Sequence, residues 1–232
     1  AQAFVPVFAK SRLTDGAVEA DRVASQAMAF IMTVVAVVVI GFEVAMPWLM
    51  PYLLSAYVDD TGVLATATLM AQLTMPYLVC MTLASLLSGV LNTMGKFALT
   101  AAVPMVLNIC TIVPLVLVPD RQLAALVTAS AVTLSGILQC ALLWWGARKQ
   151  GVDLRIGFPA VTSSVKRVLA IAVPGAIAGG AIQVNTLVSQ MLSGSDAGAR
   201  SVLYNSDRLY QLPLGLIGVA VGLALVPRLT RH

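Results

Sequence analysis

The sequence is poor in the residues on which water solubility and most enzyme chemistry depend. Of its 232 residues, 10% are charged, three are cysteine, and one, His232, is histidine. Soluble globular domains carry roughly 25% charged residues, so this chain cannot keep its surface in water. One histidine and scattered thiols cannot form a metal centre, and the sequence has no nucleotide-binding or nucleophile motif. We therefore predict no enzyme activity, no metal and no cofactor.

What the chain has in abundance is apolar sequence. Hydrophobic residues make up 59% of it and the mean hydropathy is +0.92, which identifies an integral membrane protein. The net charge of +4 reflects membrane topology rather than nucleic-acid binding, since no basic tract is interleaved with aromatics. Three isolated cysteines inside apolar stretches read as small core residues and not as disulfides or ligands: Cys80, Cys110 and Cys140.

Hydropathy predicts an all-α, polytopic bundle of transmembrane helices. Residues 1–8 read as the end of a helix that begins before this sequence does. Six complete spans follow, each with the ~20 apolar residues that a hydrocarbon core requires. They are predicted at residues 24–54, with Pro47 and Pro51 kinking or ending the helix, and at 65–93, 97–118, 123–147, 165–192 and 201–227.

The distribution of cations predicts the orientation. With the first loop inside, only Arg121 and Arg200 fall in outer loops, so both ends of the chain are predicted to be cytoplasmic. The stretch 150–162 is too polar to span and is either a linker between two helical lobes or an ordinary cytoplasmic loop. The cations on the inner side are Lys10, Arg12, Arg22, Lys96, Arg148, Lys149, Arg155, Lys166, Arg167, Arg228 and Arg231.

An adjacent acid and base, Asp207 and Arg208, lie inside the last apolar span. A charge deep in a bilayer costs about 2.5–3.5 kcal/mol on insertion scales, so it persists where it faces a polar cavity or a partner. Arg208 lies roughly 10 Å from a helix start near residue 201, from which a long side chain could also snorkel to the interface. Both alternatives stay open on the residues alone, and Pro213 adds a weak point in the backbone nearby.

Helical spacing identifies further candidates. Gln211 shares a face with Arg208, and Gln183 lies on a polar stripe of the preceding span, so both are candidate substrate-binding residues. Such stripes also serve ordinary helix packing. Glu43, four residues before Pro47, is either a hydrated interfacial carboxylate or a site for a coupling ion or proton.

Four blocks of sequence resemble the MurJ (MviN) lipid II flippase family of the MOP exporter superfamily. They are QAFVPVFA at residues 2–9, PYLV at 76–79 continuing into LLSGVLNTMGKF at 86–97, Pro104 with LNI at 107–109, and LYNSDRLYQLPLGLIGVA at 203–220 followed by VPRLTRH. The resemblance runs in order along essentially the whole chain.

The resemblance implies two six-helix lobes around a central cavity and transport by alternating access. It implies a partial first lobe at residues 1–149, a cytoplasmic linker at 150–164, and the first two helices of the second lobe at 165–232. The substrate would be lipid II, the undecaprenyl-diphosphate-linked peptidoglycan precursor, with Arg208 holding the diphosphate and Asp207 beside it. The expected location is the bacterial inner membrane, with the phospholipid bilayer and cell-wall synthesis proteins as partners.

The chain also departs from that family, whose members are about twice as long. The first helix and most of the second are missing, so we expect a fragment that does not transport by itself. Two other functions stay open: a related exporter for polysaccharide-lipid intermediates or drugs, and a membrane scaffold in which Arg208 only snorkels.

Overall fold

In the computed structural model, every regular element among the described residues is an α-helix. The described residues are 4–14, 16–54, 57–152, 154 and 162–192, together with the isolated positions 202, 205, 206 and 209. Five helical stretches of this part are long and apolar enough to cross a membrane, and α3 and α4 together form one of them. The predicted all-α, multi-pass membrane fold is confirmed. The helices are α1 Phe4–Thr14, α2 Ala17–Leu53, α3 Thr61–Thr74, α4 Pro76–Thr93, α5 Phe97–Leu117, α6 Arg121–Lys149 and α7 Ser163–Leu192.

The helix boundaries differ from the predicted spans mainly on the inner side, where the cation-rich loops lie. The first helix continues to Thr14 rather than ending at residue 8, and α2 begins at Ala17 rather than at residue 24. Helices extend beyond the apolar core because charged residues are good helix formers in water. The last predicted span, 201–227, falls outside the described residues except for four helical positions.

The inner and outer turns are built from different residues. On the inner side, α4 and α6 are followed by Gly95 (φ 73°) and Gly151 (φ 76°), a left-handed conformation that glycine adopts without strain. On the outer side, the carboxylates of Asp60 and Asp120 accept hydrogen bonds from the first-turn amides of α3 and α6, at 2.7–3.1 Å. Each turn is therefore specified locally.

The core is concentrated in the inner half of the bundle. The side chains of Leu87, Leu91 and Leu143 are fully buried there, between α4 and α6. From α1, Phe4 and Phe8 stack at 5.8 Å between ring centroids and join the same cluster. The remaining members are Ala20, Ala24, Ala27, Met28, Ala84, Leu86, Val90, Ala147, Val152 and Leu154.

Helix α6 is central to the packing of the helices between residues 61 and 149, because it packs along both α4 and α5. A Cβ atom at Gly136 would lie 2.7 Å from Cβ of Cys80 and 2.8 Å from Cδ2 of Tyr77. A Cβ atom at Gly146 would lie 2.5 Å from Cδ1 of Leu99 on α5. Two glycines thus permit contacts that any larger residue would prevent.

The span predicted as one helix at 65–93 is interrupted at Met75. Pro76 has no N–H to donate to the carbonyl of Gln72, so the hydrogen-bond ladder breaks there. Met75 keeps right-handed helical angles (φ −56°, ψ −41°), and Leu78 N–H donates to the Met75 carbonyl at 3.0 Å. The backbone thus stays helical through Met75, while the carbonyl of Gln72 loses its regular backbone donor.

Candidate functional site

The outer half of α2 contains a carbonyl that its own helix cannot satisfy. In a regular helix the carbonyl of Glu43 would accept the N–H of residue 47, but residue 47 is proline. The side chain of Gln72, on α3, instead donates from Nε2 to this carbonyl at 3.0 Å. A polar side chain from a neighbouring helix thus replaces the missing backbone donor.

A second interhelical bond to a backbone carbonyl lies at the break between α3 and α4. The carbonyl of Leu73, three residues before Pro76, accepts a hydrogen bond from Oγ1 of Thr133 on α6 at 2.6 Å. The donor that Pro76 lacks would bond the carbonyl of Gln72, so Thr133 adds a bond beside the break and does not replace that donor. Both bonds connect residues far apart in sequence, and both lie where a proline interrupts a helix.

The two hydrogen bonds together join α2, α3 and α6. We term this set the outer polar bridge; it consists of Glu43, Gln72, Leu73 and Thr133. A cavity of about 390 Å³ lies beside it between α2 and α3. The sequence analysis missed Gln72 and Thr133. A proline four residues after Glu43 signals a free carbonyl, but the donor is brought to it only by tertiary packing. The cavity is lined by Pro47, Met50, Pro51, Thr61, Leu64, Ala65, Thr68, Leu69 and Gln72.

The Glu43 side chain lies in the outer part of α2, about as far from its end as the predicted span implied. Helix α2 continues ten residues beyond it to Leu53, which corresponds to roughly 15 Å along the axis. Exposed aromatic residues typical of a membrane interface, Trp48 and Tyr52, follow closer to the outer end. The half-buried carboxylate has no salt bridge or hydrogen bond within the described part of the chain. Both alternatives for Glu43, a hydrated interfacial carboxylate and a site for a coupling ion or proton, stay predictions.

Helix α7 carries Gln183 on an open face. The Gln183 side chain is exposed, and a Cβ atom at Gly175, Gly179 or Gly180 would meet no atom within 4 Å. The inner end of α7 packs against α1 and α2, where Val165 and Val168 are buried. The face with Gln183 is therefore free to line a cavity or to receive another helix.

A second cavity lies between α7 and the helices that precede it in the chain. It has a volume of about 530 Å³ and lies in the inner half, between α1, α2, α4 and α7. Its walls are apolar except for Thr82 and Ser85, and the Thr82 hydroxyl is bonded within its own helix to Leu78 at 2.8 Å. Helix α7 is thus not tightly packed against α2 and α4 along this boundary.

The three strongest candidates from the sequence, Asp207, Arg208 and Gln211, lie outside the described residues. The positions around the charged pair, 202, 205, 206 and 209, are α-helical. This agrees with the prediction that a helix passes through this part of the chain. The structure does not bring the candidate set together: Glu43 is on α2 and Gln183 on α7.

Cations and aromatic rings meet at the inner end of α6. The guanidinium of Arg148 lies 5.8 Å from the ring centroid of Trp144, and the ammonium of Lys149 lies 5.0 Å from that of Trp145. Tryptophan beside a basic residue is the composition expected at the cytoplasmic membrane interface. The orientation itself, which was predicted from these and the other cations, stays a prediction.

Metal-binding geometry does not occur in the part of the chain that the structure describes, where no group of three or more His, Cys, Asp or Glu residues could hold an ion. The thiol of Cys140 donates to the carbonyl of Cys80 at 3.0 Å. Together with Gly136, this contact fixes the packing of α6 on α4.

Comparisons with known proteins agree with one another. The family model described as "Lipid II flippase MurJ" matches residues 1–232. A probable lipid II flippase MurJ from Rhizobium tropici is 35% identical over 234 residues, which is 99% of this chain and 44% of that protein. A lipid II flippase MurJ from Burkholderia cenocepacia is 32% identical over 238 residues, 99% of this chain and 46% of that protein. The chain spans slightly less than half the length of these relatives.

Proposed function

Because this chain belongs to the MurJ family of lipid II flippases, we propose that it forms part of a transporter for lipid II. The transporter moves the undecaprenyl-diphosphate-linked precursor from the inner to the outer leaflet of the bacterial cytoplasmic membrane. The observation that carries this proposal is the family match over every residue of a multi-pass helical chain. Since the relatives are about twice as long, the transporting unit is the full-length protein.

Alternating access requires two bodies that move relative to one another. We assign residues 1–149 to the first body, 150–164 to the connection and 165–232 to the second. Helices α4, α5 and α6 pack closely together, which suits a body that moves as a unit. The cavity of about 530 Å³ between α7 and the first lobe leaves room for relative movement at the inner side.

Arg208 is the residue that we propose to bind the diphosphate. Its guanidinium keeps its charge at all physiological pH values and offers forked donors to phosphate oxygens. Asp207, about 100° away on a helix, orients it or balances its charge without neutralising it fully. Gln211, on the same face as Arg208, and Gln183, on the open face of α7, supply uncharged donors for the rest of the head group.

The test uses the full-length protein in cells whose own lipid II flippase can be switched off. We expect the unaltered protein to restore lipid II in the outer leaflet and Arg208→Ala to fail at the same membrane level. Arg208→Lys keeps the charge but loses the fork, so we expect an intermediate result. Arg200→Ala, in an outer loop, is the matched control and should transport normally. Full activity of Arg208→Ala would refute the proposal that Arg208 binds the diphosphate. Transport of a different lipid-linked sugar, without transport of lipid II, would refute the proposal that lipid II is the substrate.

Glu43 is our candidate for binding a coupling cation or proton. Its support is the depth of the carboxylate in α2 and its lack of a partner among the described residues. In the full-length protein, Glu43→Gln should lower flipping and flatten its dependence on pH or on sodium. Glu19→Gln, which removes an exposed 3.7 Å salt bridge with Arg22, is the control. Unchanged flipping and an unchanged ion dependence in Glu43→Gln would exclude a coupling role.

A further inference from the structure

The cavity between α2 and α3 extends from the outer end of α3 towards Glu43. One face of α3 lines this cavity with residues that recur at steps of four, three and four: Thr61, Ala65, Thr68 and Gln72. Thr61 is the first residue of α3 and is exposed, and Gln72 lies roughly 16 Å further into the membrane. The cavity therefore leads from the outer surface to the hydrogen bond between Gln72 and the carbonyl of Glu43.

Helix α2 contributes the opposite wall of the cavity, and Glu43 lies on the same face of that helix. Pro47 and Met50 line the cavity, and by helical periodicity both point within about 40° of the direction of Glu43. Side chains of a helix lean towards its N-terminus, which for α2 is the inner end. The Glu43 side chain is therefore directed to the inner end of the cavity, just beyond the level of Gln72.

The cavity wall formed by α3 carries polar side chains at successive depths. Thr61, Thr68 and Gln72 line it in that order from the outer end. The hydroxyl of Thr68 donates to the carbonyl of Leu64 at 2.7 Å, and its oxygen can still accept a hydrogen bond from water. By contrast, the exposed side of α2 is apolar, as at Val44. Water is therefore better accommodated in the cavity than along the exposed side of α2.

A single carboxylate suits a proton better than a metal cation. Hard cations are bound by several oxygen ligands, whereas a proton needs one base. The described part of the chain brings no group of three or more His, Cys, Asp or Glu residues together. The carbonyl of Glu43, a further oxygen close by, already accepts a hydrogen bond from Gln72. The ligand set at Glu43 therefore favours protonation.

Within the described residues, no other charged side chain lies on a helix beside Glu43 at its depth. Helices α1, α3, α4 and α7 pack against α2. Helices α3 and α4 contain no charged residue, and their titratable side chains are Tyr77 and Cys80 of α4. The charged residues of α1 and α7, and the others of α2, all lie towards the inner ends of these helices: Lys10, Arg12, Glu19, Asp21, Arg22, Lys166 and Arg167. Protonation is therefore the means by which the charge of Glu43 can be removed.

We propose that Glu43 is a protonation site and that the cavity between α2 and α3 is its water path to the outer side. A proton passes from a hydronium ion in the cavity to a carboxylate oxygen of Glu43, which leaves a neutral carboxyl group and a water molecule. Protonation removes the cost of holding a charge within the membrane. This inference rests on the coupling role proposed above for Glu43, and it adds which ion binds and from which side the ion arrives.

Cysteine labelling of the full-length protein tests the water path independently of transport. In a cysteine-free background, Thr68→Cys and Val44→Cys are treated separately with a charged, membrane-impermeant methanethiosulfonate in right-side-out and inside-out vesicles. Val44, at a similar depth and 62% exposed on α2, is the matched control, and Ala65→Cys is a second probe of the cavity. We expect both cavity positions to react several-fold faster than Val44→Cys, and from the outer side. Equal rates, or reaction from the inner side, would overturn the water path.

The dependence of lipid II flipping on outer pH tests Glu43 as the proton site. With the inner pH held fixed, we expect the rate of the full-length protein to change with outer pH and not with sodium concentration. Glu43→Gln should abolish this dependence on pH. Thr68→Phe, which fills the cavity and leaves Glu43 intact, should weaken it several-fold, whereas Val44→Phe should not. A dependence on sodium instead of pH would overturn the protonation site.

The two experiments separate a failure of this inference from a failure of the coupling role. If labelling confirms the water path but Glu43→Gln leaves flipping and its pH dependence unchanged, both the coupling role and the protonation site are refuted. If Glu43→Gln abolishes the pH dependence but the cavity positions do not react, the coupling role stands and the water path is refuted.

Discussion

The bond between Gln72 and the carbonyl of Glu43 yields a prediction whose size follows from the structure. Interhelical hydrogen bonds in membrane proteins contribute about 0.6 kcal/mol on average and up to about 1.7. This one should lie in the upper part of that range, because Pro47 leaves the carbonyl without its backbone donor. We therefore expect Gln72→Leu to lower the free energy of unfolding by about 1 kcal/mol, after partial compensation by the added apolar surface.

A double-mutant cycle separates this cause from simple loss of packing. Pro47→Ala restores an N–H that can donate to the carbonyl of Glu43 within α2. In that background Gln72→Leu should cost less than half as much, giving a coupling energy of at least about 0.5 kcal/mol. The four proteins are compared by reversible unfolding in mixed micelles at fixed lipid composition. Equal costs of Gln72→Leu in both backgrounds would refute the idea that proline creates the need for Gln72.

Three further predictions concern the packing of the first lobe, each measured by the same unfolding assay. Thr133→Val should lower the free energy of unfolding by about 0.5–1.7 kcal/mol, because it removes an interhelical hydrogen bond. The control is Thr82→Val, which should change the free energy of unfolding little because the Thr82 hydroxyl is bonded within its own helix. Equal effects of the two substitutions would contradict the role of Thr133. Gly136→Ala should lower the free energy of unfolding by about 1–3 kcal/mol, because the added methyl group would clash with α4. The control is Gly41→Ala, which has no atom within 4 Å and should leave stability unchanged or raise it. An unchanged stability of Gly136→Ala would show that α4 and α6 can move apart to accommodate the methyl group. Gln139→Leu should raise the free energy of unfolding by about 1 kcal/mol or more, because both amide atoms of this buried side chain lack partners in the described structure. A lower free energy of unfolding would instead indicate that the amide bonds a water molecule or another partner.

The sequence predicted the fold class and the helical spans because membrane insertion is governed by composition and length. It predicted the helix ends less well, since α1 and α2 extend into water where hydropathy gives no signal. The break at Met75 was foreseeable from Pro76, whose missing N–H is a local property. The end of α2 at Leu53 agrees with the span predicted to residue 54, and the helix passes through Pro47 and Pro51 without ending at either.

The same distinction between local properties and tertiary packing applies to the candidate site. A charged pair in an apolar span is visible in the residues themselves. The substrate-binding role of this pair, Asp207 and Arg208, stays a prediction. The donors of the outer polar bridge were invisible, because Gln72 and Thr133 are polar residues like many others until packing brings them to a free carbonyl 29 and 60 residues away.

The tryptophan–cation contacts at the end of α6 limit how this helix can move through the membrane. Trp145 and Lys149 both prefer the membrane surface, because moving them inward would bury a charge and moving them outward would hydrate a ring. Since α6 also packs on α4 and α5 at glycine contacts, those helices share its vertical position. Sliding α6 across the bilayer therefore carries a free-energy cost that tilting about its inner end does not.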